Sequence, residues 1–291
     1  MNRGIQVSFE FFPPASEAME QTLWRALQRL APLGPRFVSV TYGADGSTRD
    51  RTHRIVQRIR AETALTCAPH LTCVGARRED VLAVARNYWE AGVRHLVALR
   101  GDPPKDTASY APHPGGFHYA SDLVAGLGSI GRFDISVAAY PEVHPEAPSA
   151  EADLQNLKRK IEAGACRAIT QFFFETEAYL RFRDRCTARG IDVSIVPGIL
   201  PISNFQRTLK FAAACGATVP ARVRERFAGL EDDAETRRMI AASLAIEQVD
   251  ALRRHGVDEF HFYTLNRAEL TYAICHALGL RPAARAREHV G

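Results

Sequence analysis

One short phrase occurs four times along the chain, and it limits the folds that the chain can adopt. In each copy a helical pattern ends at a glycine, and a run typical of a β-strand starts two to three residues later. Glycine suits the end of a helix because it takes the left-handed backbone conformation without steric cost. The copies are AGVRHLVALRG from Ala91, AGACRAITQFFF from Ala163, RGIDVSIVPGIL from Arg189 and HGVDEFHFYTL from His255. The phrase therefore predicts a helix-to-strand junction that is used repeatedly.

Extending this pattern in both directions predicts eight strands that alternate with helices. We place the strands at 6–11, 36–42, 66–72, 95–100, 134–140, 166–173, 192–197 and 259–265. Strict alternation with short connections indicates parallel strands joined by right-handed crossovers. We therefore expect an α/β fold, a single (β/α)8 TIM barrel, with two extra helices before the last strand (203–256). An open, doubly wound sheet stays possible, because the order of strands cannot be read from one sequence.

Composition excludes several kinds of partner. The chain has 37 basic and 33 acidic residues and no basic run interleaved with aromatic residues, so we expect no nucleic-acid partner. No stretch approaches the about 18 uninterrupted apolar residues of a membrane helix, and the N-terminus does not resemble a signal peptide, so we expect a cytoplasmic protein without a membrane partner. Six cysteines without a CxxC pair predict reduced thiols, and the lack of HxH or HExxH spacing predicts no metal.

Polar residues stand at the C-terminal ends of almost all the predicted strands. They are Glu10, Thr41, Tyr42, His70, Arg100, Gly101, Asp102, Tyr140, His144, Gln171, Asn266 and Arg267. Any one of them could be a satisfied structural residue. In a TIM barrel, however, the C-terminal ends of the strands meet at one rim, which is where the active site lies. The set therefore predicts a site for a large polar ligand.

Three residues after the fifth strand share one helix face. Asp153, Asn156 and Lys160 follow each other at spacings of three and four. Such a face is either exposed to solvent or able to bind ribose and phosphate groups. The nearby motif GLGSIG (126–131) matches a dinucleotide-binding pattern, but it follows a helix and precedes a strand, so we interpret it as a turn.

Glu10 lies in the middle of the apolar strand VSFEFFPP. Either the strand is at an edge and the carboxylate faces water, or the carboxylate is buried for a chemical reason. Two carboxylates, an amide and several arginines at one rim, without a Ser-His pair, indicate acid-base chemistry on a ligand that brings its own reactivity.

Segments along nearly the whole chain resemble the bacterial 5,10-methylenetetrahydrofolate reductases. They are SFEFFPP, FVSVTYGA, APHLTC, VALRGDPP, DISVAAYPEVHPEA, AITQFFF, PGILPISNF and FHFYTLNRAE, in this order from Val7 to about Pro282. The resemblance implies a flavoprotein barrel with FAD that is reduced by NADH or NADPH. By a ping-pong scheme it would reduce 5,10-methylenetetrahydrofolate to 5-methyltetrahydrofolate, which supplies methyl groups for methionine synthesis. It also implies one catalytic domain over 1–291, with a frayed tail at about 281–291 and no regulatory domain.

The resemblance implies roles for individual residues. Glu10 and Asp102 would be catalytic, with Glu10 as the general acid and Asp102 in contact with both flavin and pterin. Asp102, Gln171, Arg207, Phe211 and Arg267 would bind the substrate. FAD would contact Thr41, Tyr42, Ala44, His70, Arg100, Gly101, Asp102, Ala120, Tyr140, His144, Ala147, Asp153, Asn156, Arg159 and Lys160. Because Glu10 stands between two phenylalanines, we expect its carboxyl to stay protonated near neutral pH.

The sequence departs from the family pattern in two places, and two alternative functions stay open. The segment after Asp102 looks longer than in the enterobacterial relatives, and Arg207 stands where a glutamine is expected. We expect a homo-oligomer. The alternative functions are another flavin-dependent TIM-barrel oxidoreductase, similar to proline dehydrogenase, and a folate-binding barrel without catalytic activity.

Overall fold

The computed structural model describes residues 4–43, 49–102 and 110–282. Within these ranges, nine strands form one sheet in which every pair is parallel. They are β1 (Gln6–Phe11), β2 (Val38–Val40), β3 (Cys67–Thr72), β4 (His95–Leu99), β5 (Asp134–Ala139), β6 (Arg167–Thr170), β7 (Ser194–Val196), β8 (Gly198–Ile199) and β9 (Glu259–Tyr263). Their order in the sheet is β7-β6-β5-β4-β3-β2-β1-β9-β8.

The two ends of this sheet are one continuous piece of chain. Strands β7 and β8 are separated only by Pro197; β7 pairs with β6, and β8 pairs with β9. The sheet therefore closes into a barrel with eight strand positions, which confirms the predicted TIM barrel. Proline lacks an N–H group and interrupts the seventh strand, although its carbonyl still accepts a hydrogen bond of 3.0 Å from the amide of His261.

The closure requires a glycine at position 198. A Cβ atom there would lie 2.2 Å from the carbonyl oxygen of Thr170 and 2.6 Å from the ring of Tyr263. Both distances are far shorter than a van der Waals contact. Gly198 therefore lets the backbone of β8 approach β6 and the side chain of Tyr263.

Ten helices of the described ranges surround the barrel. They are α1 (Glu17–Leu30), α2 (Arg49–Glu62), α3 (Arg78–Glu90), α4 (Ala120–Leu127), α5 (Ala150–Glu162), α6 (Thr176–Ala188), α7 (Phe205–Cys215), α8 (Ala221–Phe227), α9 (Ala234–Arg254) and α10 (Glu269–Ala277). Between β8 and β9 lie three helices, α7 to α9, where we predicted two. The additional short helix begins directly after Pro220, which suits the start of a helix because it fixes φ. No helix of the described residues is long and apolar enough to cross a membrane.

The repeated junctions have the predicted geometry. Gly92, Gly164, Gly190 and Gly256 all have positive φ, between 69° and 121°. The motif at 126–131 forms the end of α4 and the turn before β5, so its interpretation as a turn is confirmed.

A charged cluster, buried at His95, Arg167 and Glu259, lies at the N-terminal end of the barrel. We call it the basal cluster: Arg36, His95, Asp134, Arg167 and Glu259. Arg167 begins β6, and its guanidinium lies 3.0 Å from Asp134 and 3.5 Å from Glu259, which in turn lies 3.0 Å from Arg36. Arg167 also donates to Nε2 of His95 over 3.0 Å. Burial lowers the pKa of His95 to about 4, so this imidazole is neutral and acts as an acceptor.

Candidate active site

A cleft of about 930 Å³ opens at the C-terminal end of the barrel. It is lined by nearly all the residues that the sequence predicted for the site: Glu10, Thr41, Tyr42, His70, Arg100, Gly101, Asp102, Ala120, Tyr140, His144, Ala147, Asp153, Asn156, Arg159, Lys160, Gln171 and Phe211. Ala44 lies outside the described residues. Arg207 and Arg267 are exposed and are not part of the cleft wall. The strand-end pattern therefore located a real concavity.

Asn266 was also predicted at the rim, but it has a structural contact. Its side-chain oxygen accepts from the amide of Phe12 over 2.9 Å, and its side-chain nitrogen donates to the carbonyl of Phe12 over 2.8 Å. Asn266 thus ties the segment after β9 to the segment after β1. Its φ of 58° is a left-handed conformation that asparagine tolerates.

Glu10 faces the cleft from a central strand. Strand β1 lies between β2 and β9, so the edge-strand interpretation is wrong. Oε2 of Glu10 lies 3.3 Å from Nε2 of His70 and 3.5 Å from Nε2 of His261. We call Glu10, His70 and His261 the acid cluster.

The acid cluster corrects our expectation for the protonation of Glu10. Burial alone would raise the pKa of this carboxyl, but hydrogen bonds and charge interactions with His261 and His70 outweigh burial and hold the pKa at about 2. Glu10 is therefore ionised near neutral pH, and the expectation of a protonated carboxyl is wrong. The sequence argument considered the apolar neighbours along the strand, whereas the histidines come from β3 and β9.

His261 is a member of the site that sequence reasoning missed. It is fully buried, and its Nδ1 lies 2.7 Å from Oγ of Ser8. The parallel register places Ser8 beside His261 and Glu10 beside Tyr263. A signal was present in the sequence, because His261 and Tyr263 alternate on one strand and so face the same side.

Helix α5 contributes an ammonium group to the cleft. Nζ of Lys160 donates to the carbonyl of Ala138 over 2.6 Å, and burial lowers the pKa of Lys160 to about 8. No carboxylate of the described residues lies within 4 Å of this nitrogen. Asp153, about two helical turns earlier on the same face, accepts a hydrogen bond of 2.9 Å from the amide of His144. The face of α5 is therefore part of the cleft and not a purely solvated surface.

The remaining walls combine aromatic and polar groups. Phe211 lines the cleft with 46% of its surface exposed, so its ring is available to a ligand. The rings of Tyr140 and His144 contact each other edge to face at 4.6 Å. The sequence did not single out several further lining residues, among them Thr72, Tyr110, Tyr119, Glu146, Phe172, Leu200 and Tyr263.

Comparison with known proteins decides the family. A family model described as methylenetetrahydrofolate reductase matches residues 2–279. The chain belongs to the methylenetetrahydrofolate reductase family. Proteins named 5,10-methylenetetrahydrofolate reductase are 60% identical over 278 residues in Pectobacterium carotovorum and 59% identical in Escherichia coli K12. These alignments cover 96% of this chain and 91% and 92% of the relatives.

Membership of the methylenetetrahydrofolate reductase family confirms the predicted oxidoreductase. A solved structure with a similar fold is an uncharacterized protein from Clostridium thermocellum that binds two copies of 5-methyl-5,6,7,8-tetrahydrofolic acid. Its TM-score is 0.60 at 13% identity, and the match covers 96% of this chain and 95% of that chain. At this identity the likeness supports the barrel fold alone.

Proposed function

We propose that this chain reduces 5,10-methylenetetrahydrofolate to 5-methyltetrahydrofolate with FAD as cofactor and NADH or NADPH as electron donor. The product would supply methyl groups for methionine synthesis. When bound, the flavin would take a hydride from the nicotinamide and later give it to the folate, which is a ping-pong scheme. Family membership and the names of the relatives support the reaction.

The partly buried ammonium of Lys160 carries the cofactor proposal. Burial disfavours its charged form more than the charge of Asp153 favours it, and an anionic ligand would offset that cost. Arg100 and Arg159 line the same cleft, so a diphosphate would meet several cations. These residues fit FAD, and the volume of about 930 Å³ lies at the upper end of the range for ligand-binding clefts.

The acid cluster and its neighbours would bind the folate. All three side chains line the cleft: Gln171 can hydrogen-bond a pterin ring, Asp102 would contact both flavin and pterin, and the exposed ring of Phe211 can pack on a planar ligand. Arg267 and Arg207 are exposed, outside the cleft wall, so we assign them to the part of the folate that extends towards solvent.

The reaction requires a proton that ionised Glu10 does not itself hold. The one-carbon unit is locked in a ring, and hydride addition requires ring opening with a proton on N10. Both imidazoles lie within 3.5 Å of the same oxygen of Glu10, so a proton on either ring would be within reach of the carboxylate. We assign the stored proton to the acid cluster as a whole and its delivery to the carboxyl of Glu10, acting as a general acid.

A double-mixing experiment without oxygen tests this function. The purified holoenzyme is mixed first with NADH and then with methylenetetrahydrofolate, while flavin absorbance is recorded. We expect loss of the oxidised-flavin absorbance in the first step and its return in the second. Reduction without reoxidation by the folate would favour another flavin-dependent barrel, similar to proline dehydrogenase. Folate binding without any absorbance change would favour a silent folate-binding barrel.

A further inference from the structure

Tyr110 covers the face of a cleft arginine. The centre of its ring lies 4.3 Å from the guanidinium carbon of Arg100, which directly follows β4. The Tyr110 hydroxyl donates to the carbonyl of His118 over 2.7 Å, so the position of the ring is fixed by a second contact. Both Tyr110 and Arg100 line the cleft.

The other contacts of Arg100 leave one part of its guanidinium without a partner. Nη1 lies 2.6 Å from Oε2 of Glu146, and Nε donates to the carbonyl of Gly101 over 3.0 Å. Among the described residues, no acceptor is hydrogen-bonded to Nη2. The guanidinium is therefore held by hydrogen bonds at Nη1 and Nε and by the Tyr110 ring on one face. Nη2 can still donate to a ligand in the cleft.

We propose that Tyr110 is a positioning residue for the cofactor: its ring orients the guanidinium of Arg100 so that Nη2 can bind an anionic group of FAD. The proposal rests on the proposed function, since it requires that the cleft holds FAD. An arginine held by a ring and two hydrogen bonds loses less side-chain entropy when it binds an anion.

The same kind of pair occurs elsewhere without a ligand site, which provides a control. The guanidinium carbon of Arg29 lies 4.4 Å from the ring centre of Tyr272, and neither residue lines the cleft. Tyr272→Leu removes this pair in the same way as Tyr110→Leu removes the other. Any effect that is common to both variants reflects loss of packing on arginine and not loss of cofactor binding.

The proposal is tested by diluting the holoenzyme and measuring how much FAD it releases. Flavin fluorescence, which recovers on release, is the readout. We expect Tyr110→Leu to weaken FAD binding about three- to twentyfold, which is the size of a lost cation–π contact. Tyr110→Phe keeps the ring and should stay within about threefold of the wild type. Tyr272→Leu should not change FAD binding.

A double-mutant cycle tests whether Tyr110 acts through Arg100. In the Arg100→Gln background, Tyr110→Leu should add less than about a twofold effect, because residues that act through one contact are not additive. Equal effects in both backgrounds, or unchanged FAD release in Tyr110→Leu, would overturn the proposal while the proposed function stands. If the purified wild-type protein neither contains nor binds FAD, both the proposal and the proposed function are overturned.

Discussion

The two ends of the barrel both carry charged side chains, but different groups compensate those charges. At the N-terminal end, Arg167 contacts Asp134 and Glu259, and Glu259 also contacts Arg36. At the C-terminal end, the ammonium of Lys160 donates to a backbone carbonyl, and among the described residues the charge of Asp153 offsets its burial only in part. In the basal cluster the cations and carboxylates pair with one another, whereas in the proposed function a ligand balances part of the charge in the cleft.

The carboxylates of the two ends differ in a second respect. In the basal cluster the carboxylates face guanidinium groups, which do not release protons in proteins. Glu10 instead lies within 3.5 Å of two imidazoles, those of His70 and His261. In the proposed function, the first arrangement holds charge in place, and the second supplies a proton.

The largest expected effect follows from replacing Glu10. Glu10→Gln keeps the shape of the side chain but cannot pass a proton from the acid cluster to N10. We expect reoxidation of the reduced flavin by methylenetetrahydrofolate to fall by roughly 10² to 10⁴, as for a lost general acid. Flavin reduction by NADH, which needs no such proton, should stay within a few fold. Both rates are measured by stopped-flow absorbance.

The matched control is Glu20→Gln, which changes a carboxylate that pairs with Arg54 and Arg58 at the surface. Neither half-reaction should change in this variant. Equal losses of both half-reactions in Glu10→Gln would show that Glu10 only holds the site in shape.

Removing the central cation of the basal cluster should destabilise the fold. Arg167→Met removes the partner that Asp134 and Glu259 share. Breaking a fully buried pair costs roughly 3 to 5 kcal/mol, but Asp134 is half-exposed and Glu259 keeps Arg36, so we expect at most about 3 kcal/mol. We expect this loss in the free energy of unfolding from denaturant titration, with an unchanged amount of FAD per folded molecule. Arg226→Met, which removes a surface pair with Glu247, should change the free energy of unfolding far less, because exposed ion pairs contribute little. Unchanged stability of Arg167→Met would contradict a structural role for the basal cluster.

The smallest expected effect concerns Phe211. In the proposed function its exposed ring packs on a ligand, and such an aromatic contact is worth about 0.5 to 1.5 kcal/mol beyond the buried area. Phe211→Ala should therefore slow both half-reactions by a factor of about 2 to 12, if the ring packs on folate and nicotinamide in turn. Met239→Ala, which removes another exposed apolar side chain, should change neither. If Phe211→Ala keeps the wild-type rates, the ring does not contact either ligand and only packs against the protein.

The hydrophobic periodicity of the sequence and the glycines at its helix ends predicted the barrel, because the alternation of helices and strands is a local property. The glycines before β4 and β9, for example, mark junctions that each depend on a few neighbouring residues. The seventh strand was harder to predict: the sequence showed Pro197, but only the closed sheet shows that this residue separates a pairing with β6 from a pairing with β9.

The site was predictable where it depends on position along a strand and unpredictable where it depends on register between strands. Glu10 was located correctly at the rim, yet its protonation was wrong, because His261 approaches from β9 about 250 positions away along the chain. The basal cluster was missed for the same reason. His95, Asp134, Arg167 and Glu259 each begin a strand, and only closure of the barrel brings them together.

The central claim, that the cleft carries a cation whose partner is a ligand, is tested most directly at Lys160. The variant is Lys160→Met, and the control is Lys158→Met, whose ammonium lies 3.9 Å from Glu162 on the outside of α5. The measurement combines the thermal unfolding temperature of the FAD-free protein with FAD release from the holoenzyme.

The pH dependence follows from the lowered pKa of Lys160. Between about 8 in the folded chain and the ordinary value of 10.5, the unfolded chain binds more protons, so the stability of the FAD-free protein should rise with pH across this window. Lys160→Met should lose this rise, unfold at the same or a higher temperature at pH 7, and release FAD at least about tenfold more readily. Reduced stability with unchanged FAD release would contradict the account.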